Sequence, residues 1–231
     1  GEKVKYLEAC CKAMKEYSPK IIQAVGSFSD ETQYVTIANS YGVYKNDVRN
    51  HQRVGAVAVA SDGKGMQQAS NSYGGNFDIS YYEKFDFATF ATKVAESAVE
   101  ALDAEEMVGG VYDVVIHNAF GGVIFHEACG HSLEATSVAK NLSVFSGKLG
   151  TQIASNVVTA IDDGTIVDEW GSAGMDDEGN DTKKNVLIKD GILVGYMIDS
   201  RNGRRMNMDA TGSARRESYK YSPTSRMTNT Y

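Results

Sequence analysis

Thr32-Gln33-Tyr34-Val35-Thr36-Ile37-Ala38, then Asn39-Ser40-Tyr41-Gly42, then Val43-Tyr44-Lys45-Asn46-Asp47-Val48: two runs rich in β-branched and aromatic residues flank a cluster of turn formers. Such side chains fit a pleated surface, and Asn, Ser and Gly between them mark a reversal, so the stretch predicts two strands of an antiparallel meander. Val54 to Ala60 and Gly65 to Tyr73 extend it as further strands on either side of Asp62-Gly63. Upstream, Val4, Leu7, Cys11 and Met14 recur at helical spacing and the pattern stops at Ser18-Pro19, which predicts an opening amphipathic helix with Cys11 in its buried stripe. Downstream, Phe87, Phe90, Val94, Ala98 and Leu102 mark a second amphipathic helix whose Ala-rich face packs on the sheet.

Tyr112 to Ile116 reads as a short buried strand that runs through Ala119-Phe120-Gly121-Gly122 into a third helix. Beyond Asn156 strands return at Val157 to Ile161, Thr165 to Val167, Asn185 to Lys189 and Ile192 to Ile198, with Asp162-Asp163-Gly164 and Asp190-Gly191 as hairpin turns. The expected class is α+β, mostly antiparallel sheets with an N-terminal helix, a second amphipathic helix and a helix that carries the motif described next. The expected organisation is an α+β domain over residues 1–110, followed by the motif helix and a β-rich segment over 111–231. The acidic stretch Asp176-Asp177-Glu178-Gly179-Asn180-Asp181 lacks the spacing of a calcium-binding EF-hand loop and reads as a solvated turn.

The third helix carries His126-Glu127-Ala128-Cys129-Gly130-His131. Neutral imidazoles bind zinc through a ring nitrogen, and a catalytic zinc site needs three protein ligands and one open position. His126 and His131 are candidate ligands. Glu127, next to the first, is a candidate general base that takes a proton from water and passes it to a leaving amine. Ligands at i and i+5 stand about 140° apart on a regular α-helix, so they share an ion only if the helix widens into a π-bulge or ends near Gly130. The competing reading is a plain amphipathic helix with Val123, Ile124 and Ala128 as core contacts. Cys129, Glu134 and His117 are further candidates for a third ligand, each with a simpler role: a small buried side chain, a supporting or helix-surface carboxylate, and a strand-end histidine.

Composition removes several function classes. With 231 residues and 42% hydrophobic content the chain builds a core without disulfides, and three cysteines, two of them adjacent, suit a reducing compartment. Twenty-three basic against thirty acidic residues give a net charge of −7, and no basic cluster exceeds Arg204-Arg205 or Arg215-Arg216, so nucleic acid is not an expected partner. No apolar run reaches membrane-spanning length and no signal-peptide core is present, so no membrane association is expected and the cytoplasm is the expected location. Nucleophile-elbow, phosphate-loop and dinucleotide-binding motifs are missing.

Gly122-Val123-Ile124-Phe125 leading into the motif, Ser132-Leu133-Glu134 after it, and the later segments Asp176 to Gly179, Leu187 to Gly191 and Ser222-Pro223 through Arg226-Met227-Thr228-Asn229-Thr230 resemble the TldD/PmbA family, also called modulator of DNA gyrase proteins. The resemblance covers nearly the whole chain. It implies a cytoplasmic zinc metallopeptidase that acts on unfolded or unstructured peptides held as an added β-strand, as an oligomer with itself or with a TldE-like subunit that lacks the motif. It places His126 and His131 on the metal ligands and Glu127 on the catalytic base. The family's third ligand is a cysteine in a C-terminal β-rich region that would follow Tyr231, and the family has more sequence ahead of the opening helix. The expectation is therefore a fragment or short form, with two histidines that alone hold zinc weakly and a chain that is inactive when isolated. The rival expectation is a non-catalytic protein that captures peptides or a partner on an exposed strand edge, with structural histidines.

Overall fold

Helix α1 (Glu2–Tyr17) stops at Ser18, which is extended at φ −157° because the ring of Pro19 disfavours a helical residue before it. In this computed structural model the backbone of residues 1–231 is described, together with the side chains of all residues except 2, 119 and 120. Of the expected stripe of α1, Met14 is fully buried, Leu7 and Cys11 pack half-buried against the same core, and Val4 is exposed, while Cys10 joins the stripe fully buried.

Three long strands follow, β1 (Ile21–Ala38), β2 (Tyr44–Ser61) and β3 (Met66–Asn76), in the order β1-β2-β3. The two expected strands Val43 to Val48 and Val54 to Ala60 are therefore one continuous strand. Polar residues such as Asn50, His51 and Gln52 interrupt its hydrophobic pattern without interrupting the ladder, because backbone pairing does not require an apolar side chain. The turns fall where Asn39 and Asp62 put them, each accepting backbone N–H groups two to four residues on. Helix α2 (Phe87–Glu100) begins at Asp86, whose carboxylate accepts the Thr89 N–H at 3.0 Å, and it packs on α1 and β3.

The chain divides into two compact units. The first comprises Gly1–Thr32 and Asn50–Asp113, and the second Gln33–Arg49 and Val114–Tyr231. In the first, Val54, Ala56, Ala58 and Ala60 alternate inward along β2 and meet Cys10, Met14, Phe87, Ala91, Val94, Ala95 and Ala98. Tyr82 sits among Phe28, Phe77, Phe85 and Phe87 at ring separations of 5.3 to 5.7 Å, and burial pushes its phenol up to about 12.

The second unit is built on β4 (Ala160–Asp163), β5 (Lys184–Lys189) and β6 (Ile192–Leu193), an antiparallel sheet in that order. Asp190 and Gly191, both with positive φ (49° and 81°), make the β5–β6 turn the sequence predicts. Other expectations fail here. Asp162 and Asp163 belong to β4 itself, and Thr165 to Val167 is a turn closed by the Asp163 carboxylate on the Thr165 N–H and hydroxyl. Val157 is exposed and precedes the strand, while β6 ends at Leu193, after which the N–H groups of both Val194 and Gly195 turn onto the Leu187 carbonyl. Tyr112 to Ile116 is neither a strand nor buried: Val114 and Val115 are 73% and 100% exposed, since no described strand pairs with the run and β-branched residues alone do not make a ladder.

The acidic stretch is a turn, but not a solvated one. Asp176 is 4% exposed and accepts hydrogen bonds from Glu178 N, Asn180 N and Ala214 N, while Glu178 accepts from Ser200 N. The tip of the β1–β2 hairpin joins this unit: Arg49 reaches Asp177 at 2.8 Å and the Met175 carbonyl at 2.9 Å, and Lys45 reaches Asp181. Helices α3 (Asn118–Phe125), α4 (Ala135–Val138) and α5 (Ser200–Met206) and the short pair β7 (Ala214–Arg215) and β8 (Thr224–Ser225) complete it. The last residues close on β4, with Ile161 and Tyr231 exchanging both backbone hydrogen bonds and Thr228 donating its N–H and hydroxyl to buried Asp162.

Candidate metal centre

Helix α3 does not continue through the motif. At His126 it widens into a π-helical turn, His126–Gly130, closed by the His131 N–H on the His126 carbonyl, and a 3₁₀ turn, His131–Leu133, follows. One extra residue per turn carries position i+5 back over position i, the change that two histidines at this spacing need in order to share an ion. The rings stand edge to face with centroids 4.6 Å apart, and one donor atom from each of His126, Glu127 and His131 lies within 4.8 Å of the others. The histidines are half-buried and Glu127 is exposed.

The sequence makes this turn possible in two ways. Gly130 is buried against Met227, and a Cβ at that position would stand 2.3 Å from the Met227 Sδ, so any larger residue there would force Met227 to move. After Leu133, Glu134 leaves the helix with φ −76° and ψ 128° and is fixed by a parallel bridge to Met197, with Met197 N donating to Leu133 O and Ala135 N to Met197 O.

Of the other candidates, Glu134 is buried, with Oε1 3.1 Å from His131 Nδ1 and Oε2 3.6 Å from Arg226 Nη1. Cys129 and His117 lie outside the cluster of donors found among the described residues. Cys129 instead lines an apolar cavity of about 500 Å³ with Phe125, Ala128, Phe145, Ile153 and Ile188, and burial raises its thiol above the ordinary range, which disfavours the thiolate. The plain amphipathic helix is not what forms: Val123 and Ile124 are 42% and 53% exposed rather than core contacts. Arg226 and Met227 escaped the reading of the sequence as participants; they stand about a hundred residues from the motif, and no local pattern links them to it.

A donor set of two imidazoles and a carboxylate suits zinc and neighbouring divalent transition metals better than calcium or magnesium, which take oxygen ligands. No helix among the described residues is long and apolar enough to cross a membrane.

Comparison with known proteins gives this geometry a context. The profile of the PmbA/TldA metallopeptidase central domain matches residues 1–102, and that of the C-terminal domain matches residues 109–231. The Metalloprotease TldD homolog of Haemophilus influenzae is 37% identical over 236 residues, covering 100% of this chain and 49% of that protein. That of Buchnera aphidicola from Acyrthosiphon pisum is 34% identical, covering 92% and 45%. This chain thus spans about half the length of the curated relatives it matches. Among solved structures, a Thermotoga maritima protein named as a modulator of a DNA gyrase superposes with a TM-score of 0.85 at 20% identity, over 99% of this chain and 51% of that one. TldE from Thermococcus kodakarensis does so with a TM-score of 0.72, also at 20% identity, over 98% and 51%. At that identity the two structures speak for the fold. The two domain profiles and the TldD homologues speak for descent, and by them the chain belongs to the PmbA/TldD metallopeptidase family.

Proposed function

We propose that the chain carries the metal-binding and proton-transfer groups of a zinc metallopeptidase of the TldD type, acting on unfolded or unstructured peptides. The observation that supports this most directly is the π turn that gathers His126, Glu127 and His131. His126 and His131 would hold the ion. When bound, zinc supplies Lewis acidity to the scissile carbonyl and the attacking water. Glu127, on the exposed side of the turn, takes the proton from that water and returns it to the leaving amine. Family membership also supports a cytoplasmic setting and a TldE-like partner subunit, and both belong to the proposal.

The test combines metal binding and hydrolysis. Zinc is titrated into the metal-stripped chain, wild type and with His126→Ala, His131→Ala and Glu127→Gln, and an unfolded casein digest is assayed alongside in the full-length family member carrying the same changes. Binding that either histidine change abolishes but Glu127→Gln spares, with hydrolysis lost in all three, supports the reading. Zinc binding indifferent to both histidine changes overturns it.

A further inference from the structure

We infer that Glu134 is a positioning residue for His131: it holds the imidazole with its proton on Nδ1 and so presents Nε2 to the metal, while Arg226 holds Glu134. The inference rests on the zinc reading for its purpose but on the geometry of this chain for its content. Glu134 Oε1 lies 3.1 Å from His131 Nδ1, and an ionised carboxylate only accepts, so the nitrogen facing it carries the hydrogen and the other keeps its lone pair. Metal-binding histidines are commonly oriented in this way by a carboxylate on the far ring nitrogen.

A plain structural role for Glu134 has an obvious form, and the side chain does not take it. Glu134 stands at the N-cap of α4, where a carboxylate would ordinarily accept the free N–H groups of the first turn, yet it makes no side-chain cap hydrogen bond. Its carboxylate turns back toward the motif instead. Its second oxygen faces Arg226 Nη1 at 3.6 Å, so the charge of this buried group is compensated. Arg226 is itself placed by its N–H on the Ser213 carbonyl and by the preceding Ser225, whose N–H donates to Thr136 Oγ1 and to Asp199. The C-terminal segment thereby reaches the histidine through two charged side chains. Glu134 is also an unsuitable ligand: both oxygens are engaged and its side chain is only 7% exposed.

The test reads the tautomer directly. Long-range ¹H–¹⁵N NMR of the metal-free chain at pH 8 should show the His131 proton on Nδ1. Glu134→Met, which keeps the volume and removes the acceptor, should move it to Nε2 and weaken zinc binding in a chelator competition by about 10- to 100-fold. Glu134→Gln, whose amide oxygen still accepts, should keep the Nδ1 proton and lose less affinity. A wild-type proton on Nε2, or a tautomer unchanged by Glu134→Met, overturns the inference. Should Glu134→Met fail to fold, the wild-type and Glu134→Gln spectra decide. An Nδ1 proton in a chain that binds no zinc counts against the zinc reading alone.

Discussion

Replacing Gly130 by alanine tests whether the π turn depends on its contact with Met227. The added Cβ would stand 2.3 Å from the Met227 Sδ and 3.2 Å from its Cε, where ordinary contacts need well over 3 Å, so a side chain only 5% exposed must move by more than 1 Å. Overpacking of this kind costs about 1–3 kcal/mol, offset by up to about 1 kcal/mol because alanine restricts the unfolded chain more than glycine does. The expected net loss is about 1–2 kcal/mol, or a Tm lower by roughly 2–8 °C. Trp170 is the single tryptophan and belongs to the second unit, so its fluorescence in urea follows the unit that holds the turn. The decisive comparison is a double-mutant cycle. Met227→Ala alone should cost about 2–5 kcal/mol by leaving a cavity, but combined with Gly130→Ala it should cost about 1–2 kcal/mol less than the sum, because the new methyl occupies part of that space. Additivity within about 0.5 kcal/mol, or a Gly130→Ala chain more stable than wild type, would refute the reasoning.

Three further outcomes follow from buried charge in the second unit. Burial pushes the Asp162 carboxyl from 3.8 up to about 6, with Asp163 and Glu134 adding to the rise against hydrogen bonds from Thr228, so the folded chain keeps a proton there that the unfolded chain has lost. This contribution to stability is full below about pH 4 and is lost as pH rises through 6, amounting to about 3 kcal/mol; Asp162→Asn should remove that part of the slope between pH 4.5 and 7, as read by Trp170 unfolding. Asp199 works oppositely, its carboxyl held low by Ser225 and Asn202 despite burial, and its contribution is lost only as pH falls below 3.8. Arg49→Ala removes the partner of Asp177 and a donor to the Met175 carbonyl from a site where both charged side chains are nearly buried; it should cost about 3 kcal/mol, visible as faster amide exchange over residues 33–49, and unchanged exchange there would contradict it.

Local chemistry was readable from the sequence, and contacts between distant segments were not. Pro19 ends α1, Asn39 and Asp62 turn the meander and Asp190-Gly191 makes a hairpin because each acts on backbone within a few residues. Read as a shared metal site, the motif spacing called for a widened or ended helix near Gly130, and a π turn over His126–Gly130 is there. Val114 and Val115 misled because a β-branched run becomes a strand only where a partner edge is free to receive it. Asp176 misled for the complementary reason: a cluster of acids reads as solvent-facing until Ala214, from nearly forty residues away, brings its N–H. Glu134 was legible only as a carboxylate near the motif, either supporting it or lying on the helix surface. Its partner Arg226 was not, since nothing in the intervening ninety residues signals that β8 returns to the motif.

The hairpin tip has a consequence for the order in which the chain is made. Arg49 finds Asp177 across 128 residues of sequence. At ribosomal rates of roughly 5–20 residues per second, the tip therefore waits about 6–25 s for its docking surface to be synthesised. During that interval the tip holds Tyr34, Tyr41 and Tyr44, exposed even in the folded chain, beside Lys45, Asp47 and Arg49, charges of the kind that discourage a strand edge from pairing with another chain.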